Sequence, residues 1–164
     1  MKILLLATLL SCTLFSTQLG NITAFIKQNN EYKIQTSDGA ILKILFYRPD
    51  IFRIWVGPDG NLTDPAGEEA TRIVVYDEVP IQVNQSQEDD YYRLGTDSCV
   101  LRIYKNPCRF SLYKKDDFTL LFEESAPITY GNESYQSIYR NTGDYFYGCG
   151  MQNGHFCHND RIIQ

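Results

Sequence analysis

Apolar side chains recur at every second position in short runs of this sequence, and each run is cut off by turn residues. Glu31-Tyr32-Lys33-Ile34-Gln35-Thr36 alternates in this way, and Ser37-Asp38-Gly39-Ala40 then reads as a tight turn. Ile41-Leu42-Lys43-Ile44-Leu45-Phe46-Tyr47 returns, Arg48-Pro49-Asp50 breaks, and Ile51 to Val56 forms a third run. A period of two places alternate side chains on opposite faces of a strand, and Asp-Gly between two such runs is a strong hairpin signal. Further strands are expected at Thr71–Tyr76, Ile81–Val83, Tyr91–Leu94, Cys99–Tyr104, Phe110–Tyr113 and Thr119–Glu123. Two more are expected near Gln136–Tyr139 and Tyr145–Tyr147, with a polar turn over Gln85–Asp90. No long stretch keeps the i, i+3, i+4, i+7 spacing of a helix, whereas the 12 Tyr and 9 Phe suit pleated, half-buried surfaces. Many short strands with one apolar face predict an all-β fold, an antiparallel β-sandwich.

The first residues do not belong to that pattern. Met1-Lys2 precedes the apolar run Ile3–Leu10, which is too short to span a bilayer and fits the h-region of a secretory signal. Residues 1–20 are therefore expected to be a signal peptide and residues 21–164 the sandwich domain, with no transmembrane segment. Leu9-Leu10-Ser11-Cys12 also loosely fits a lipobox, so a lipoprotein anchor at Cys12 is an alternative. Removing residues 1–20 takes away Lys2 and no acid, which moves the formal net charge from −5 to −6. No block of Lys or Arg remains, which argues against a nucleic acid or an anionic membrane as partner.

Export frames the cysteines. Cys99, Cys108, Cys149 and Cys157 remain in the mature chain, enough for two disulfides in an oxidising compartment. The local pairs Cys99–Cys108 and Cys149–Cys157 each flank an apparent hairpin; free, buried cysteines are the competing reading. Asn followed by a non-Pro residue and Ser or Thr occurs at Asn21, Asn61, Asn84 and Asn132. That repetition points to N-glycosylation in a secretory route, and three of the four fall where loops are expected.

Chemical motifs are sparse. There is no P-loop, no Gly-x-Gly-x-x-Gly fingerprint and no Gly-x-Ser-x-Gly elbow. His155-Phe156-Cys157-His158 with Cys149 matches no closed zinc spacing, so no metal and no cofactor are expected. The carboxylates come as solvated runs, Glu68-Glu69, Glu88-Asp89-Asp90, Asp116-Asp117 and Glu123-Glu124, none of which marks a tuned acid/base pair. Trp55, the sole tryptophan, is expected in the core, a sugar-stacking surface being its other use.

Three stretches in this order resemble a known domain. They are Phe46–Val56, Cys99–Tyr113, and Asp144-Tyr145-Phe146-Tyr147-Gly148-Cys149-Gly150-Met151-Gln152-Asn153-Gly154-His155-Phe156. Together they resemble the N-terminal domain of glycoside hydrolase family 31, the α-glucosidase and α-xylosidase family, over about Tyr32 to Gln164. The third carries the most specific motif, through Tyr147, Gly148, Gly150, Gln152, Asn153 and Gly154. Cys149 stands where family members often have Gly or an aromatic residue, and Cys157 and Asn159-Asp160 also depart from the family pattern. The resemblance implies a galactose-mutarotase-like sandwich that packs on a (β/α)₈ barrel and helps shape a pocket for an α-linked oligosaccharide. It implies retaining hydrolysis with an Asp nucleophile and an Asp acid/base, both supplied by the barrel. No catalytic residue is therefore expected within these 164 residues, which end on the apolar run Arg161-Ile162-Ile163-Gln164, and the resemblance transfers no substrate-binding residue to them. Two other functions compete. A stand-alone carbohydrate-binding module needs an exposed aromatic platform. An aldose mutarotase needs His and Glu converging in a cleft, and here the only histidines are His155 and His158.

Overall fold

A computed structural model describes residues 16–29, 31–62 and 81–145. Among these residues there are eleven strands and no helix: β1 Thr17–Gln18, β2 Ile22–Gln28, β3 Glu31–Thr36, β4 Ile41–Arg48, β5 Ile51–Gly57, β6 Asn84–Gln87, β7 Tyr91–Gly95, β8 Cys99–Lys105, β9 Cys108–Lys114, β10 Leu120–Glu123 and β11 Thr129–Tyr130. All pairings are antiparallel. One sheet runs β2-β3-β4-β5, a second runs β10-β9-β8-β7-β6, and β1 pairs with β11 in a two-stranded sheet.

The alternation dictates how the sheets face each other. Tyr32, Ile34, Leu42, Ile44 and Phe46 point inward from the first sheet, and Leu94, Leu101, Ile103, Cys108 and Phe110 from the second. Each is 1% exposed or less. Phe25 of β2 stacks on Tyr92 of β7, with ring centroids 4.1 Å apart, so aromatic contact joins the two layers directly. The result is the expected all-β sandwich around one core. Burial of each large apolar side chain contributes roughly 1.5–3 kcal/mol to holding the layers together.

The hairpins follow their turn residues. Between β3 and β4, Gly39 takes φ 93°, a left-handed conformation open to glycine without a Cβ clash, while Thr36 N–H donates to the Ala40 carbonyl. Between β2 and β3, Asn29 adopts φ 56°, which Asn tolerates better than most residues.

Several expectations are corrected here. Upstream of Asn21, Thr17 and Gln18 pair with Tyr130 and Thr129, and Leu19 is buried at 1% exposure. Ile81–Val83 is not a strand, although Ile81 and Val83 pack on the core; the pairing starts at Asn84, in β6, which runs into the stretch expected to be a turn. The segment near Gln136–Tyr139 makes only isolated bridges, Glu124 with Ile138 and Thr129 with Tyr135. The strand expected at Thr71–Tyr76 and most of that at Tyr145–Tyr147 lie outside the described residues.

Candidate functional site

A shelf that exposes several apolar and aromatic side chains forms beside the edge strand β10. The hydrogen bonds from Ser125 N–H to Ser137 O and from Tyr139 N–H to Glu123 O, both 2.9 Å, lay the 135–139 segment along the end of that strand. A closed turn follows, in which Asn141 N–H donates to Asp144 Oδ2 at 2.6 Å and Asp144 N–H to Asn141 O at 3.0 Å. Leu121, Phe122, Ile138, Tyr139, Gly143, Asp144 and Tyr145 then line one open depression. Leu121 is 50%, Tyr139 57% and Tyr145 64% exposed, with Phe118 at 89% on the preceding loop. Exposed apolar side chains grouped in this way mark a surface suited to covering by another protein segment.

Glu124 anchors the shelf from below. Its carboxylate is fully buried and accepts Phe110 N–H at 2.8 Å and Gln136 Nε2 at 2.7 Å, while Arg109 Nη1 donates to its carbonyl. Burial pushes its pKa up, and the bonds from Gln136 and Phe110 only partly offset this.

The outer face of the second sheet is a lattice of aromatic and cationic side chains. Cross-strand registry sets Tyr91 beside Tyr104, Tyr104 beside Arg109, and Arg93 beside Arg102. The Arg102 guanidinium lies 4.0 Å from the Tyr113 ring centroid and 5.0 Å from that of Tyr91. Asp117 folds over this face from the β9–β10 loop and accepts Arg93 Nε at 2.9 Å and Arg102 Nη2 at 2.8 Å. Partial burial works against its charge, but the two guanidinium bonds outweigh it and hold Asp117 below the usual carboxylate range. Gly95 leaves room for this arrangement, since a Cβ there would lie 2.7 Å from Arg93 Nη1.

Trp55 belongs to an outer face as well, which corrects its expected place in the core. Phe52, Ile54 and Val56 pack on the core, so Arg53 and Trp55 point the other way. Arg53 Cζ lies 3.4 Å and Lys43 Nζ 4.3 Å from the Trp55 ring centroid. The indole N–H is buried and makes no hydrogen bond among the described residues. With both cations on its ring, Trp55 does not offer a bare platform for a sugar.

The other expected site residues divide clearly. Cys99 and Cys108 carry free, buried thiols, which corrects their expected pairing. Cys108 faces Lys105 beside the hairpin turn, whereas Cys99 faces Lys114 at the far end. They are about 20 Å apart along the strands, against a Cα separation below about 7 Å in a disulfide. Burial, with the charges of Glu124 and Asp38, pushes the Cys108 thiol up to about 12. Asn21, Asn61, Asn84 and Asn132 are all exposed; Asn84 opens the edge strand β6 and the other three lie outside strands. Tyr147, Gly148, Gly150, Gln152, Asn153, Gly154, Cys149, Cys157, His155 and His158 lie outside the described residues. Among the described residues no three His, Cys, Asp or Glu side chains cluster as metal ligands, and no helix is long and apolar enough to cross a membrane.

The composition of the shelf was not legible as a site from the sequence. Its residues come from a strand end, a bridge segment and a turn, which are brought together by the hydrogen bonds of Glu123 and Ser125, the Gln136–Glu124 bond and the Asn141–Asp144 turn.

The model for the glycosyl hydrolase 31 N-terminal galactose mutarotase-like domain matches residues 41–164. No match is found among curated proteins. Among solved structures, a family 31 dextranase from Flavobacterium johnsoniae, complexed with glucose, superposes with a TM-score of 0.77 at 20% identity; 88% of this chain is covered and 18% of the dextranase. The cycloalternan-forming enzyme from Listeria monocytogenes, in complex with a pentasaccharide substrate, superposes with a TM-score of 0.68 at 16% identity, covering 87% of this chain and 14% of that enzyme. At these identities the likeness concerns the fold. The chain spans less than a fifth of the length of either enzyme.

Proposed function

The chain belongs to the glycosyl hydrolase 31 N-terminal galactose mutarotase-like family, and on that premise we propose that it is the non-catalytic N-terminal domain of an exported α-glycosidase. Its role is to support the catalytic (β/α)₈ barrel of the full-length enzyme and to shape the sugar pocket. The observation that carries this reading is the group of exposed side chains Leu121, Ile138, Tyr139 and Tyr145 on one shelf. It is preformed by backbone hydrogen bonds and left open to solvent, as expected of a surface that another part of one enzyme covers.

The described carboxylates with shifted pKa have structural tasks. Asp117 clamps two arginines, Glu124 is buried beneath Gln136, Asp38 is bonded to Tyr130, and Asp116 bonds the Thr119 backbone and hydroxyl. A glycosidase needs two carboxyls facing each other across a substrate cleft. In this reading the barrel supplies both.

The substrate class is an α-linked oligosaccharide, with an α-glucoside as the first choice. Its support is that the similar structures include a dextranase bound to glucose and a cycloalternan-forming enzyme bound to a pentasaccharide. Export through the apolar leader at Ile3–Leu10, with glycans on Asn21, Asn61, Asn84 and Asn132, completes the proposal.

Sequencing the transcript beyond Gln164 tests the central point. An open frame continuing into a β/α barrel with paired Asp supports the proposal; a stop codon there, with a soluble monomer that binds maltose-type sugars, overturns it in favour of a carbohydrate-binding module. On a chromogenic α-glucoside these 164 residues alone are expected to give no turnover.

A further inference from the structure

We infer that the leader is cleaved upstream of Leu19, so that the mature chain begins within residues 12–19 and keeps both Leu19 and Gly20. The inference rests on the export reading and adds to it the position of the cut.

Four couplings converge on these two residues. The Leu19 side chain is 1% exposed and belongs to the core that both sheets share. Its N–H donates to the Ile128 carbonyl at 2.9 Å. The Gly20 carbonyl accepts Cys108 N–H at 2.9 Å, and Gly20 N–H donates to Asp38 Oδ1 at 2.6 Å.

A cut after Gly20 would undo all four, the Leu19 N–H bond to Ile128 included. It would empty the Leu19 position in the core, where apolar deletions leave cavities that the surroundings fill only in part. It would leave the N–H of Cys108, a residue with no exposed surface, without its acceptor. It would also remove the Gly20 donor from Asp38. Thr17 and Gln18 are exposed and contribute only their pairing with β11, so the sandwich tolerates a cut on either side of them.

The upstream sequence offers the chemistry such a cut requires. Leader peptidases read small side chains just before the scissile bond, and Ser11, Cys12, Thr13, Ser16 and Thr17 all follow the apolar run and precede Leu19. The step is hydrolysis of one peptide bond. Water adds across it, the leader departs with a new carboxylate, and the mature chain gains a new α-amine.

N-terminal sequencing of the full-length protein, secreted by a host that processes its leader, tests this. A first residue between Cys12 and Leu19 is expected. A start at Gly20 or later overturns the inference and leaves the export reading intact. Retention of Met1 overturns the export reading and the inference with it. In the same host, Leu19→Asp is expected to cut the yield of folded secreted protein several-fold while Gln18→Asp leaves it unchanged. Equal yields from the two variants overturn the claim that Leu19 is part of the mature fold.

Discussion

Asp38 shows how one side chain can tie distant segments together. It accepts Gly20 N–H and the Tyr130 hydroxyl, the latter at 2.5 Å, and so fastens the β3–β4 turn to both the N-terminal segment and β11. Partial burial raises its pKa, but the Tyr130 and Gly20 bonds outweigh this and hold it below its ordinary value. The stabilisation is therefore present above the unfolded carboxyl's pKa and is lost as pH falls through the lower folded value. Tyr130→Phe is expected to cost about 1–3 kcal/mol at pH 7 in a denaturant melt and to flatten the acid limb of the stability profile. Glu124 has the opposite sign. Burial raises its pKa, so the folded state holds the proton more tightly and stability declines as pH climbs from the unfolded value of 4.5 through the raised folded value. Glu124→Gln keeps an acceptor for Phe110 N–H, and Gln136 can turn its amide to accept. The variant is expected to lose that decline, read as a melting temperature that no longer drops over this range. Cys108 supplies a third check. With its thiol pushed up to about 12 by burial and nearby acids, it is expected to resist alkylation in the native protein at pH 8 and to react once urea unfolds it.

At the scale of elements, strands with a clear period of two were legible to within a residue or two at their ends, as β3, β4, β5, β7 and β8 show. Their inward side chains are the core, so Leu101→Ala in β8 is expected to cost about 2–5 kcal/mol, whereas Leu121→Ser on the exposed shelf costs little in this isolated chain, both measured by chemical denaturation. Elements were missed where the pattern is mixed. In β2 the burial sequence is irregular because the strand lies at a sheet edge and its register shifts between Ile22 and Ala24. The Asn29 turn that joins it to β3 was the available signal, since Asn accepts a left-handed backbone. β6 is polar at all four positions, Asn-Gln-Ser-Gln, and owes its existence to pairing with β7 rather than to any preference of its own. Trp55 was misplaced for a related reason. Both faces of β5 carry apolar residues, and only Arg53, two positions away on the same face, disclosed which one points outward.

At the scale of the whole molecule, the shelf beside β10 separates two behaviours. Tyr139→Lys together with Leu121→Lys is expected to raise the solubility of the isolated chain, measured by light scattering against concentration. In the full-length enzyme the same pair is expected to lower thermal stability, because two charges would be buried in the proposed contact with the barrel. Solubility unchanged by the double variant would remove the shelf as the sticky surface. By itself the sequence determined the class of fold and the hairpin order from β3 to β5 and from β7 to β10, because a period of two assigns side chains to faces locally. Only the tertiary structure decided that Leu19 and Gly20 belong to the sandwich, that Cys99 and Cys108 stand at opposite ends of one hairpin, and that Leu121, Ile138 and Tyr145 share a surface. Those relations depend on which distant strands pair and in what register, and local alternation records the face a side chain takes but not the partner it meets.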